Sequence, residues 1–222
     1  MIDIQNHQSY KYAYDAIHNR KLHAPKYIKK QAKIFLDIAD GKDSKYKINI
    51  KTVDFIDRIL KLLIVPKGIK AGQSFYTILA GFQFFFIVAV LCIVHKDNPK
   101  HRRYETAVLE ICRKNGKTIL IALIFIILFF LEPPFSKFFS VAPDGSLSKE
   151  VKTAIEEILR ASTNTISTDK FFKIRRDNIL CKIKTENFAE IQPCFLQTHE
   201  KQEVLRESIP PVLLCLNAKS SF

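Results

Sequence analysis

Apolar positions along residues 9–40 fall at helical spacing. Tyr10, Tyr14 and Ile17 make one stripe; beyond Pro25 it continues through Tyr27, Ile28, Ala32, Phe35, Leu36 and Ala39, with Lys29, Lys30 and Lys33 on the other face. Gly41 followed by Lys42-Asp43-Ser44 is a helix stop and loop. A second helix is predicted from about Lys51 to Leu63, its stripe being Val53, Ile56, Ile59, Leu60 and Leu63, and Pro66-Lys67-Gly68 breaks it. Residues 74–95 predict a third, very apolar helix, followed by an exposed basic loop over Lys96–Arg103. A strand over 104–112 then leads through a short basic turn to a helix over 117–131, which Pro133-Pro134 ends. Lys137–Ala142 reads as a short strand and Pro143-Asp144-Gly145 as a turn. From Ser148 to Leu159 a helix is predicted, with Val151, Ile155, Ile158 and Leu159 as its apolar face. Phe171–Lys184 alternates loosely, as a hairpin around Arg176-Asp177-Asn178 would. Past Glu186 the periodicity fades, and only a short helix at 199–207 is a candidate. Strand, helix and strand over 104–142 make a βαβ unit, so the pattern predicts an α/β fold with a parallel sheet and a right-handed crossover.

Two charge-free segments raise the question of a membrane. Ile78–Val94 runs for 17 residues and Ile119–Leu131 for 13. As helices they span about 25 Å and about 20 Å, against a hydrocarbon core of roughly 30 Å. Gln83 sits inside the first, and basic residues flank it on both sides (Lys67 and Lys70; Lys96, Lys100, Arg102 and Arg103), so no inside/outside bias emerges. Both segments are expected to be core helices, and no membrane partner is expected.

Composition sharpens this. Hydrophobic residues make up 47% of the chain, with 18 Phe, which is ample for a core. The net charge of +13 favours a polyanionic partner. The five cysteines (Cys92, Cys112, Cys181, Cys194 and Cys215) are scattered without a Cys-x-x-Cys pair or a Cys/His cluster, which argues against zinc and for a reducing cytosol. The first residues, Met1-Ile2-Asp3-Ile4-Gln5-Asn6-His7, lack the basic and apolar regions of a secretory signal.

The chemistry concentrates in Glu110-Ile-Cys-Arg-Lys-Asn-Gly-Lys-Thr118. A phosphate-binding loop needs a buried strand, a turn presenting backbone N–H groups, and a helix N-terminus facing the anion. In that arrangement Lys117 contacts the β- and γ-phosphates, the Asn115–Thr118 backbone holds phosphate oxygens, and the Thr118 hydroxyl holds Mg²⁺. Lys114 lies in the same turn, and Arg113 is placed to touch the γ-phosphate as charge develops. The general expression also asks for Gly four residues before Gly116, where this chain has Ile111.

Taken together, these pieces resemble the start of a phage terminase large subunit, a motor that packages DNA into procapsids. Pro66-Lys-Gly-Ile-Lys-Ala-Gly-Gln73 resembles the family's "KG...AG" turn, and Leu79-Ala-Gly-Phe-Gln-Phe84 its "L..WQ.F" segment. Arg102-Arg103-Tyr104 leads into a stretch resembling the deviant Walker A loop "ARKNGK[ST]", which also lacks the first Gly. Phe139–Asp144 resembles the strand and turn that follow. The resemblance covers roughly residues 10–185. It implies an N-terminal helical region (1–73), part of a P-loop NTPase parallel sheet with flanking helices (74–185), and an irregular tail (186–222). It further implies ATP and Mg²⁺ as ligands, Gln83 on the adenine edge, and double-stranded DNA, the small terminase subunit and the procapsid portal as partners in a host cytoplasm. The family's Trp before the Gln is Phe82 here. An apolar strand ending in Asp-Glu, needed for Mg²⁺ and for activating water, is not found. Pro211–Leu216 stands about where that strand would come, but Asn217-Ala218-Lys219 follows it, and Glu156-Glu157 lies mid-helix. The nuclease domain is also missing, so the expectation is a truncated or frameshifted chain that binds nucleotide with little or no hydrolysis.

Other readings stay open at this point. Gln83 could be a polar residue on a buried helix bonding to backbone. The chain could be a small two-span membrane protein with basic loops, or a basic nucleic-acid-binding module without nucleotide chemistry.

Overall fold

The computed structural model describes residues 3–19, 21–112, 114–133, 136–142, 145–166, 168–176, 178–182, 189–195 and 213–214. The fold is α/β, and the chain divides into two compact units that interleave in sequence. One comprises residues 1–61 and 76–104, the other 62–75 and 105–222. The linear reading has boundaries at 73 and 185; by contacts, residues 76–104 group with the N-terminal helices and 62–75 with the unit that carries the loop.

In the first unit, the stretch expected as helix over 9–40 forms α1 (Gln8–His18) and α2 (Lys26–Ala39), separated at Pro25. Strand β1 (Tyr46–Ile48) follows, then α3 (Ile50–Leu62). The third expected helix is three pieces: α4 (Phe75–Ile78), α5 (Gly81–Cys92) and strand β2 (Ile93–His95). The run breaks at residues 79–80, where Ala80 is extended (φ −76°, ψ 155°) and caps α5; Gly81 opens α5, and a Cβ there would meet the Tyr12 Cβ at 3.1 Å. The β-branched Ile93 and Val94 then leave the helix to pair antiparallel with β1, in the register Ile48↔Ile93 and Tyr46↔His95. The 96–103 loop folds back on this pair: Lys96 Nζ donates to the Asp43 carbonyl at 2.6 Å, and the Arg103 guanidinium lies 4.2 Å over the Tyr46 ring. Apolar stripes close the core through Ala13, Ala16, Ala32, Phe35, Ile56, Leu60 and Phe84. Tyr27, assigned by spacing to the α2 stripe, is instead 79% exposed, since the first turn of α2 extends beyond the core.

The second unit opens with a turn in which Ile64 bridges Ser74 and Val65 N–H donates to Gln73 O at 2.9 Å. Its reversal uses Gly68 and Gly72, at φ +92° and +83°. Next come β3 (Thr106–Ala107), α6 (Lys117–Leu131), β4 (Lys137–Ala142), α7 (Gly145–Ala161), α8 (Thr163–Ile166) and α9 (Thr168–Phe171). Strands β5 (Phe172–Ile174), β6 (Ile179–Cys181), β7 (Ala189–Phe195) and β8 (Leu213–Leu214) complete it. The expected hairpin over 171–184 is β5 and β6, paired antiparallel. The sheet has the order β4-β7-β6-β5: β4 and β7 run parallel, and β6 is antiparallel to both of its neighbours.

Three expectations change here. First, among the described residues the strand over 104–112 is paired only at Thr106–Ala107, with β8 in parallel. Val108 is 77% exposed. Second, β3 and β4 flank α6 but belong to different sheets among the described residues, so the simple βαβ unit is not formed. Third, residues 189–195, expected to be irregular tail, form the strand between β4 and β6. Pro193 is tolerated because β6 pairs with β7 only from Ala189 to Ile191, leaving Pro193 beyond that ladder. The helix considered at 199–207 lies outside the described residues. Among the described residues no helix is long and apolar enough to cross a membrane.

The most constrained polar group in the first unit is His7, which caps α1. Ser9 N–H donates to its Nδ1 at 3.2 Å, which leaves Nε2–H to donate to Asp57 Oδ1 at 3.1 Å. Both side chains are almost wholly buried, and the ring meets Phe84 edge-on at 5.6 Å. Removing one partner strands the other in an apolar surround, so Asp57→Ala should lower the unfolding free energy by about 3 kcal/mol. Urea unfolding of wild type and variant checks this; a change within error would mean that the pair contributes nothing.

Candidate functional site

Ten successive residues of α6, Leu120–Phe129, are buried, so the helix is apolar on every side and only its ends reach the surface. Its N-terminal end is the loop singled out by sequence. Gly116 is the N-cap, at φ +71° and ψ +24°, a left-handed conformation that a side chain resists. Lys114 shares that conformation at φ +66°. Left-handed residues alternating with ordinary ones turn successive N–H groups to one side, as in anion-binding nests. Asn115 braces the turn by donating from Nδ2 to Cys112 O at 3.3 Å.

Lys117 and Thr118 are the first two residues of α6, and both are half-buried, whereas Lys114 and Asn115 are exposed. No side chain caps this helix and no acidic residue occupies its first turn. Among the described residues its leading N–H groups and the positive end of its dipole therefore meet no competing side-chain acceptor. Arg113 lies outside the described residues. The structure thus brings together Lys114, Asn115, Gly116, Lys117 and Thr118 in one turn.

Gln83 is the third residue of α5, in the first unit. Its Oε1 accepts the Ala80 N–H at 2.9 Å, one half of a capping box that Ala80, having no side-chain oxygen, cannot return. The open alternative of a bond to backbone is what its amide oxygen makes.

A cavity of about 380 Å³ borders Thr118 and Ile119 and lies wholly in the second unit. Opposite them is one face of α7, with Glu150, Thr153 and Glu157. By sequence Glu157 reads as a mid-helix residue; in the structure Lys67, from the 64–74 turn, meets its carboxylate at 2.8 Å. The 150, 153, 157 spacing marks one helix face, but nothing local pairs it with Lys67. Glu156 points differently. Its carboxylate accepts from Arg160 Nε and Nη2 at 3.2 and 2.8 Å, and the Arg160 bond, helped by Lys152, holds it below the usual carboxylate range. The described residues contain no group of three His, Cys, Asp or Glu that could hold a metal ion.

Comparison with solved structures finds the large terminase of bacteriophage HK97, known from a crystal structure, with a TM-score of 0.51 and 24% sequence identity. The match covers 68% of this chain and 28% of that one, so the chain spans well under a third of that protein's length. A likeness at this level establishes a shared fold. No protein-family model matches the chain. No curated protein matches it either.

Two outcomes follow from the local geometry. Gly116→Ala should cost about 1 kcal/mol in the unliganded protein, and Gly116→Asn less, because a Cβ is strained at positive φ; equal stability in all three by urea unfolding would contradict this. Glu156 has a lowered folded pKa, so it stabilises above its ordinary value of 4.5 and that contribution is lost as pH falls through the lowered value. Glu156→Gln should accordingly flatten the acid limb of the stability profile, with the gap to wild type closing as pH falls below 4.5 and through the lowered value.

Proposed function

We propose that this chain is the ATP-binding part of a terminase-type DNA-packaging motor. The observation that carries this reading is the uncapped, acid-free N-terminus of α6, opened by left-handed Lys114 and Gly116 and followed at once by Lys117 and Thr118. The fold shared with the HK97 large terminase supports it. In this reading the backbone of 115–118 takes phosphate oxygens and Lys117 reaches the outer phosphates. Mg²⁺ suits this donor set, since it is commonly bound through one or two protein groups plus substrate phosphates, and Thr118 offers the hydroxyl. When bound, the ion neutralises phosphate charge.

Turnover is expected to be low. Strand β8 pairs directly with β3, the position from which a catalytic carboxylate would reach the loop, and the sequence after it reads Cys215-Leu216-Asn217. Double-stranded DNA is the proposed polyanion, in line with the +13 charge and the exposed Lys26, Lys29, Lys30 and Lys33 of α2. The small terminase subunit, the portal and a host cytoplasmic setting belong to the same proposal.

Thermal unfolding with and without Mg·ATPγS, beside Lys117→Ala, tests it. Ligand at 100 times Kd should add about 2.7 kcal/mol to wild type and nothing to the variant. No shift in a well-folded wild type would sink the nucleotide reading. Robust ATP turnover abolished by Lys117→Ala would overturn the low-hydrolysis part alone.

A further inference from the structure

We infer that the α1–α2 hairpin of the first unit takes an unpaired DNA strand, with the lysines of α2 on its phosphates and Tyr27 stacked on an exposed base. The inference rests on the DNA part of the reading above and not on its nucleotide part. It deepens that part by naming the form of DNA that this face suits.

The charge comes first. From Ala16 to Leu36 the sequence carries no Asp or Glu, and Lys21, Lys26, Lys29, Lys30 and Lys33 are all exposed. Among the described residues none of these ammonium groups has a hydrogen bond or an ion pair. Lys26 and Lys29 lie in the first turn of α2, behind Pro25, where no side chain caps the helix and no acid balances the positive end of its dipole. Cations are disfavoured at that end, so their placement there costs the free fold stability. A bound polyanion reverses the sign of that effect.

Geometry extends the face. Tyr10 Oη donates to Asp40 Oδ1 at 3.0 Å, which sets the start of α1 beside the end of α2 and makes the pair antiparallel. Helical spacing runs back from Asp40 through Asp37 to Lys33, Lys29 and Lys26, and forward from Tyr10 through Tyr14 to His18. The two rows adjoin, and on the α1 row the exposed Tyr14 ring stacks on His18 at 4.2 Å. Asp37, and Asp40 with Tyr10 and Lys42 on its carboxylate, end the basic row.

Charge alone does not account for Tyr27. Its ring is 79% exposed, and Lys30 lies one turn further along the same face. A duplex hides the faces of its bases in the stack, so a ring on a convex helix meets only sugar and phosphate there. An unpaired strand turns its bases outward. Aromatic rings set among basic residues hold such strands by stacking, without reading sequence. A tyrosine can give its ring to the base while its hydroxyl stays in water.

Fluorescence anisotropy on the full chain tests this with labelled oligothymidylate, an abasic strand of the same length and a duplex of the same length. Wild type should bind oligothymidylate tightest. Tyr27→Ala should weaken oligothymidylate about tenfold and the abasic strand by no more than about twofold, as expected for the loss of one stacked base. Tyr27→Phe, which keeps the ring, should bind as wild type does. Lys29→Ala and Lys30→Ala should weaken both strands, each lowering the salt slope by about 0.7. Should Tyr27→Ala prove unfolded by urea titration, the preference of wild type for oligothymidylate over the abasic strand decides. Equal losses for both strands in Tyr27→Ala, or no loss in either, overturn the inference. Duplex bound as tightly as oligothymidylate overturns it too, and leaves the DNA part of the reading above standing. Retention on phosphatidylserine vesicles that Tyr27→Ala abolishes, with strand affinity unchanged, would give the face to a membrane surface and overturn it as well. If wild type binds neither strand nor duplex, the DNA part of that reading has failed with it.

Discussion

The second unit is organised by the need to bury α6 on every side while leaving its first turn in water. A helix with Leu120 through Phe129 all buried has no polar face on which to rest at a surface. It must be wrapped, and the phenylalanines of its C-terminal half pack edge-on against Phe138 of β4 and Phe172 of β5. Apolar burial along the whole helix fixes its axis, and that in turn fixes where Gly116, Lys117 and Thr118 emerge. A phosphate loop benefits from such an arrangement, because its N–H groups are aimed before any ligand arrives and little ordering entropy remains to be lost on binding. The same residues that raised the question of a membrane span are what hold the loop still.

Around α6 the polar contacts are few and long-range. Lys67 meets Glu157, Ile64 meets Ser162, and Thr165 meets Leu62, all joining the 62–75 turn to the end of α7 and its continuation. Exposed ion pairs of the Lys67 kind contribute little to stability by themselves. Their effect here is positional: they set a carboxylate opposite Thr118. The first unit has its own polar centre in His7 and Asp57, where burial makes the bond consequential for stability but leaves no solvent path for chemistry. Ser9, His7 and Asp57 form a hydrogen-bonded chain, yet Ser9 is fully buried, so the chain is a helix cap.

The loop and its surroundings are unequal in what they supply. The anion-facing geometry is present in the left-handed pair and the uncapped helix. In sequence, β8 is followed by Cys215-Leu216-Asn217. Glu156 and Glu157 differ as well. One is locked into i,i+4 pairs along α7, while the other faces the cavity with Thr118. Adjacent residues on a helix point about 100° apart, which is why two neighbouring glutamates can have unrelated roles.

By itself the sequence determined the elements whose signals are local. The α6 and α7 helices, the strand over 137–142, the hairpin around Arg176 and the Gly116-Lys117-Thr118 turn were legible because periodicity, prolines and glycine act within a few residues. The break of the 74–95 stretch at residues 79–80, where Ala80 is extended, has no proline or positive-φ glycine to mark it and so was not legible. Nor was β7, where Glu190 and Pro193 dilute the alternation and pairing with β4 and β6 makes a strand of it. The full strand expected before the loop shrank to two residues for the converse reason, since apolar alternation supplies no partner. Tertiary structure alone decided that the 62–75 turn belongs beside α7, that Gln83 bonds to its own helix start, and that Glu157 faces Thr118. The Gln83 bond is local, three residues back to Ala80, whereas the placing of the turn and of Glu157 arises from a hydrogen bond and an ion pair between residues some 90 to 100 positions apart, which no local pattern encodes.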